Sequence, residues 1–152
     1  MQQACEQEPC VEPDTERCIE FTVPMAARGK SRARTGKGFA YTPKEQVHWE
    51  QQFALYASMY QPKHVIEGPV AIAATFAMPR PKRLLRKKDP EGCVPMSTKP
   101  DLDNMAKSVL DALKTWWRDD AQVASMLLKK VFCEKSGTPR IHICLIYEVT
   151  CE

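Results

Sequence analysis

Five charged residues in the 152-residue chain have the types and spacing that metal-dependent chemistry uses. Asp101 stands at the N-cap of a predicted helix, Asp103 lies in its first turn, and Lys107 follows one helical turn later. An Asp119-Asp120 pair comes after the helix, at the turn that begins the next strand. Carboxylate oxygens are the ligands that Mg²⁺ prefers, and Mg²⁺ with a nearby ammonium suits phosphodiester hydrolysis.

Each of these residues also has an ordinary structural explanation. Asp101 could serve only as a helix cap, and Asp103 is favoured near a helix N-terminus by the helix dipole. Asp103 and Lys107 could form a plain salt bridge, and Asp119-Asp120 could be a polar turn. Their joint occurrence directly after a long basic loop at residues 79–100 is what favours catalysis. A non-catalytic nucleic-acid-binding protein remains open at this point.

Charge is strongly segregated along the chain. Residues 1–20 carry six acidic residues and one basic residue, whereas residues 21–100 carry fourteen basic and five acidic residues. A basic middle predicts a polyanion partner, with Lys and Arg contacting phosphates. We define a first basic segment (residues 28–37) and a second basic segment (residues 80–88). The candidate DNA-binding residues are Arg28, Lys30, Arg32, Arg34, Arg80, Lys82, Arg83, Arg86, Lys87 and Lys88.

The elements that must position these residues follow from apolar periodicity. A second helix is the clearest, because apolar residues from Leu102 to Leu113 recur on one helical face. The first helix is predicted to start at Thr42 as N-cap, with Pro43 at its first position, and to end before Pro62. Strands are predicted at residues 18–23, 69–78, 123–133 and 141–148. The order β-α-β-α-β-β predicts a single mixed α/β domain: about four strands, two helices packed on the sheet, and the last two strands forming an antiparallel hairpin.

The ends of the chain and its cysteines limit the class of protein. We expect residues 1–17 to be a disordered acidic tail and residues 18–150 to form the folded domain. Seven cysteines without a Cys-x-x-Cys pair argue against a disulfide framework or a zinc knuckle. The N-terminus lacks the pattern of a signal peptide, and no apolar run has the length of a membrane span. A soluble cytoplasmic protein is therefore expected.

The segment KPDLDNMAKSVLDAL, followed closely by DDAQV, resembles the core motif of the RusA family. These are Holliday-junction endodeoxyribonucleases of phages and prophages, and the motif covers about residues 99 to 123. The resemblance implies a RusA-like fold and a homodimer that binds four-way DNA junctions and cuts two opposing strands symmetrically. It also implies Mg²⁺ as cofactor, with no small-molecule cofactor, and a place in the bacterial host cytoplasm.

Residue by residue, the resemblance implies that Asp101, Asp103 and Asp120 are the essential acids and the metal ligands. It gives Lys107 as the functional lysine and Asp111 as a structural residue or one that supports the ligands. The segment at residues 114–118 contains no glycine and is shorter than is usual in the family, so Asp119 stays open as an alternative to Asp120.

Two adjacent tryptophans precede the acidic pair. At least one of Trp116 and Trp117 is expected in the core or a dimer contact, while the other could wedge against bases at a junction centre. The alternatives to a junction resolvase are a weakly catalytic or non-catalytic branched-DNA-binding protein and a less selective branched-DNA nuclease.

Overall fold

In a computed structural model, which describes residues 15–149, the chain forms seven strands and two α-helices. Their bounds are β1 (Thr15–Val23), β2 (Arg34–Gly36), β3 (Phe39–Tyr41), α1 (Lys44–Ala57), β4 (Val70–Met78), β5 (Val94–Pro95), α2 (Leu102–Ala112), β6 (Val123–Phe132) and β7 (Arg140–Val149). The predicted tail lies outside the described residues except for residues 15–17, which belong to β1. The predicted single mixed α/β domain with two helices is confirmed.

The main sheet has five strands in the order β1-β7-β4-β6-β5. β4 pairs in parallel with β6 and antiparallel with β7, so it lies between the last two long strands. The predicted hairpin of β6 and β7 is therefore wrong. β4 is apolar except for Thr75, which is typical of a central strand. The seven-residue connection at 133–139 is long enough to pass across its end.

Both helices contribute to the core. α2 connects the parallel strands β4 and β6 and buries Met105, Val109 and Leu113, as the apolar periodicity predicts. α1 buries Trp49 and Phe53. α1 begins one residue later than predicted: Pro43 occupies the N-cap position, and no side chain caps the helix.

The end of the first basic segment forms the first strand and the start of the turn of a short hairpin. β2 and β3 pair antiparallel, with Arg34 opposite Tyr41 and Gly36 opposite Phe39. Lys37 and Gly38 form the two-residue turn with φ of 44° and 87°. Positive φ at both positions is the geometry of the tight turns that match strand twist.

Four cysteines fall within the described residues, and no disulfide joins any two of them there: Cys18, Cys93, Cys133 and Cys144. Cys133 is buried, whereas Sγ of Cys18 lies 3.4 Å from Sγ of Cys144 on the paired strands β1 and β7. Over residues 15–149, no helix has both the length and the apolar character that a membrane span requires.

Candidate active site

The N-terminal end of α2, which we call its entrance, carries two carboxylates that contribute little to stabilising the helix. Asp101 occupies the N-cap position with an extended backbone, but its side chain accepts no capping hydrogen bond. Instead, its Oδ2 accepts a 2.7 Å hydrogen bond from Nζ of Lys99. Asp103, in the first turn of the helix, is exposed. The capping explanation for Asp101 therefore does not hold, and both carboxylates remain accessible.

The electrostatic environment keeps Asp101 ionised. The hydrogen bond from Lys99 lowers the pKa of this carboxyl below its ordinary value, against a smaller opposing effect of desolvation. The positive charges of Lys99 and Lys130 act in the same direction as the hydrogen bond. An ionised carboxylate at neutral pH is the form that a hard divalent cation binds.

Lys107 stands on the exposed side of α2, one turn beyond Asp103. Among the ion pairs of residues 15–149, none joins Lys107 to Asp103. The plain salt bridge that the spacing allows is thus absent, and the ammonium is available to a negatively charged ligand on this face.

The start of the first basic segment packs against this entrance. The Lys30 backbone N–H donates to the carbonyl of Asn104 at 3.0 Å. At Gly29, a Cβ would lie 3.0 Å from Cβ of Pro100, so a larger residue would crowd the close approach of these two segments. Arg28, Lys99 and Asp101 line the resulting open cleft of about 510 Å³.

A polar network joins the first basic segment to both helices. Nζ of Lys30 lies 2.8 Å from a carboxylate oxygen of Glu50 in α1 and also pairs with Asp111 in α2. The buried Gln46 of α1 donates to Glu50 and to the hydroxyl of Ser108. Lys30 is therefore used to join the basic segment to both helices, and Asp111 has a structural role in this network.

The second acidic pair has two different roles. Asp119 caps a short 3₁₀ turn: its Oδ1 accepts from the backbone N–H of Ala121 at 2.8 Å, and Gln122 completes the capping box. Asp120 accepts a 3.0 Å hydrogen bond at Oδ1 from the indole Nε1 of Trp117 and is otherwise exposed. The capping function of Asp119 favours Asp120 as the functional acid of the pair.

The three implied acids are not brought together within one chain. α2 has 11 residues, or roughly 16 Å of helix. Asp101 and Asp103 lie at its N-terminal end, whereas Asp120 follows its C-terminal end and precedes β6. Over residues 15–149, no group of three His, Cys, Asp or Glu side chains has the geometry to hold a metal ion.

The residue that β6 does bring to the entrance is Lys130. Its Nζ donates to the carbonyls of Thr98 and Pro100 at 2.8 and 2.9 Å, which fixes the segment before Asp101. Sequence reasoning did not assign Lys130 a role. Strand alternation offers the signal, because Lys130 falls on the same face of β6 as the partly buried Leu128 and the buried Phe132.

The prediction that Arg80 contacts DNA is wrong. The residue is only 9% exposed, and its guanidinium forms hydrogen bonds within the protein. It donates to the carbonyls of Leu84, Pro90 and Gly92 at 2.9, 2.5 and 2.9 Å. A buried arginine whose donors are matched by carbonyls is well satisfied. Arg80 therefore organises the second basic segment from inside.

The remaining basic candidates lie on the surface. Arg28 pairs with Glu45, and Arg86 pairs with Asp89 within its own loop. The other members are exposed and form no ion pair in the described part of the chain: Arg32, Arg34, Lys82, Arg83, Lys87 and Lys88.

Both tryptophans before the acidic pair are in the core. Trp116 is 3% exposed and stacks at a tilt on Phe21, and Trp117 is 2% exposed. Neither is available as a wedge, so that part of the expectation is wrong. Phe39 and Tyr41 of the β2–β3 hairpin are, in contrast, exposed.

Comparison with known proteins identifies the family. The family model described as Endodeoxyribonuclease RusA matches residues 22–146, which include every acid and basic residue discussed above. A curated relative, the uncharacterized protein YqaN of Bacillus subtilis (strain 168), is 34% identical over 143 residues; the match covers 88% of this chain and 98% of the relative.

Proposed function

Because the chain belongs to the RusA family of endodeoxyribonucleases, we propose that it resolves four-way DNA junctions as a homodimer, by Mg²⁺-dependent paired cleavage of two opposing strands. The observation that carries the proposal is the entrance of α2. There Asp101 and Asp103 present accessible carboxylates beside a cleft whose walls bear Arg28 and Lys99.

The donor set at this entrance fits a hard divalent cation. Asp101 and Asp103 would hold Mg²⁺ through carboxylate oxygens, a chemistry that leaves room for water and substrate phosphate as further ligands. Bound there, Mg²⁺ would supply charge neutralisation and activation of water for phosphodiester hydrolysis. Lys107 is placed to balance negative charge on the phosphate or to protonate the leaving oxygen.

Asp120 enters this scheme only through a second copy of the chain. It lies roughly one helix length from Asp101 and Asp103 in the same chain, too far to bind the same ion. A homodimer that sets the C-terminal end of one α2 near the N-terminal end of the other would unite the three acids. In the proposed homodimer, Asp120 would thus act as the third acid of the site formed by the partner copy.

The basic surface supplies the affinity for a branched substrate. Exposed Arg and Lys side chains on both basic segments contact phosphates and carry little base specificity. Such contacts recognise the shape of a junction, and doubling them in a dimer matches the symmetry of two opposing strands.

The direct test uses a labelled synthetic four-way junction with and without Mg²⁺, and compares the wild type with Asp103→Asn. We expect paired, metal-dependent nicks from the wild type and no nicks from the variant, with junction binding retained. Asp111→Asn is the matched control, since it changes an acid of the same helix that serves the network around Lys30. Binding without cleavage under any divalent metal would instead identify a branched-DNA-binding protein, and equal cutting of linear or Y-shaped DNA a less selective nuclease.

A further inference from the structure

Two large exposed aromatic residues lie on the β2–β3 hairpin, which follows the first residues of the cleft wall in the chain. Phe39 is 64% exposed and Tyr41 is 46% exposed. Two side chains two residues apart on a strand point to the same side, so both rings belong to one face of the hairpin. Large exposed aromatic residues grouped in this way are uncommon unless they contact a partner.

The backbone of the hairpin leaves these rings open. Gly36 lies opposite Phe39 and offers no side chain to cover the phenyl ring. A Cβ at Gly36 would stand 3.4 Å from Cε1 of Tyr41, so the phenol ring lies against the glycine backbone. The tight turn at Lys37-Gly38 holds the two strands together at the tip.

Charge around the rings favours a polyanion. Arg34 lies opposite Tyr41, and Arg32 and Lys37 flank the same hairpin. None of these three cations forms an ion pair within residues 15–149. Aromatic rings between cations match a nucleic-acid strand, which presents flat base faces between phosphates.

The hairpin is attached to the wall of the cleft at both ends. Lys30, just before β2, is joined to Asn104, Glu50 and Asp111. On the other side, Glu45 at the start of α1 pairs with Arg28 of the cleft wall. The segments that lead into and out of the hairpin are therefore tied to the helices that form the cleft, while the hairpin residues themselves are mostly exposed.

We propose that Phe39 and Tyr41 form a stacking surface for bases exposed at the branch point of the DNA. This inference rests on the proposed junction function and deepens it, because it gives the chain a means to tell a branch from a continuous duplex. Bases at a branch point cost less to unstack than bases inside a duplex, so the rings engage a junction selectively. The hairpin cations add affinity without sequence preference.

The test places 2-aminopurine, whose fluorescence rises on unstacking, at the branch point of a synthetic junction, without Mg²⁺ so that no strand is cut. The wild type should raise the fluorescence. The double variant Phe39→Ala/Tyr41→Ala should abolish that rise and bind the junction roughly tenfold more weakly. Its affinity for linear duplex and the salt dependence of binding should stay as in the wild type, because no phosphate contact is removed.

Leu55→Ala/Tyr56→Ala is the matched control. It removes an exposed apolar residue and an exposed tyrosine from α1, outside the hairpin, and should leave the fluorescence rise intact. Equal thermal denaturation of both double variants and the wild type checks that the fold is preserved.

A full fluorescence rise with the hairpin variant would overturn the inference while leaving the proposed function standing. A hairpin variant that sediments as a smaller species than the wild type would also overturn it, since the rings would then contact a second copy of the chain. A wild type that binds no junction would overturn the proposed function together with the inference.

Discussion

The two basic segments are both rich in Arg and Lys but differ in how the fold holds them. The first is fixed at its start, where Lys30 joins α1 and α2, and then extends as the β2–β3 hairpin. The second is held from within, because the buried Arg80 binds three carbonyls of its own loop. The first segment is thus anchored only at its start, whereas the second segment is anchored at the side chain of Arg80, which its own loop surrounds.

This difference teaches that a cation in a basic segment is not automatically a phosphate contact. Lys30 and Arg80 are the structural cations of their segments, and we propose that their exposed neighbours contact DNA. Removing a structural cation should change folding or loop order first and binding second. Removing an exposed cation should change binding alone.

The largest effect is expected at Lys30. Lys30→Met leaves the carboxylates of Glu50 and Asp111 close together without their shared cation, which should lower the free energy of unfolding by about 1–3 kcal/mol. Chemical denaturation measures it. Burial disfavours the ammonium, yet the hydrogen bonds and charges of Asp111 and Glu50 leave the pKa of Lys30 raised overall, so the pairing persists through neutral pH.

Lys37→Met is the control within the same segment, because its side chain is exposed at the hairpin turn. It should change the free energy of unfolding by less than about 0.5 kcal/mol. Equal losses in the two variants would remove the distinction between structural and exposed cations in the first segment.

A charge-preserving substitution separates the two roles in the second segment. Arg80→Lys keeps one positive charge but cannot reach three carbonyls with the guanidinium geometry. We expect stability to fall by roughly 1–2 kcal/mol and amide hydrogen exchange to rise over residues 81–92. Arg83→Lys, at an exposed position, should alter neither quantity. Unchanged exchange in Arg80→Lys would contradict the structural role.

The exposed cations of the second segment should govern binding. Replacing Arg83, Arg86 and Lys87 together with Gln should weaken junction binding by about tenfold and flatten its dependence on salt concentration. The measurement is the dissociation constant over a range of salt concentrations. A salt slope equal to that of the wild type would mean that DNA does not contact this surface.

The smallest effect is expected in the connection between β6 and β7, where Glu134 pairs with Arg140 at the start of β7. The hydrogen bond from Arg140 lowers the pKa of Glu134 from about 4.5 to about 2. A carboxyl whose pKa is lowered on folding stabilises the fold fully at a pH above its pKa in the unfolded state. That contribution is lost as the pH falls toward its pKa in the folded state. Glu134→Gln should therefore melt slightly below the wild type at pH 7, with the gap closing toward pH 2. A gap independent of pH would exclude this pair as its cause.

Much of the fold could be predicted from the sequence because apolar periodicity is a local signal. The face of α2 and the four long strands follow from it. The pairing of β7 with β4 could not be predicted in this way, since strand order depends on which edges meet in three dimensions. The 3₁₀ turn that uses Asp119 also depends on Gln122 folding back to the turn.

The site divides in the same manner. Asp101, Asp103 and Lys107 could be placed together, because one helix turn fixes their spacing. The position of Asp120 could not be derived, because it depends on the direction in which β6 leaves the end of α2. The burial of Arg80 and of both tryptophans depends on packing that composition does not encode, and the exposure of Phe39 and Tyr41 follows from the glycine turn beside them.

The central claim is that acids from the two ends of α2 act together across two copies of the chain. Asp103→Asn and Asp120→Asn should each be inactive alone. Hybrid dimers, co-expressed with two different tags and purified through both, retain one complete set of acids. The account predicts that these hybrids nick one strand of a labelled four-way junction in the presence of Mg²⁺. Hybrids as inactive as either parent variant would contradict it.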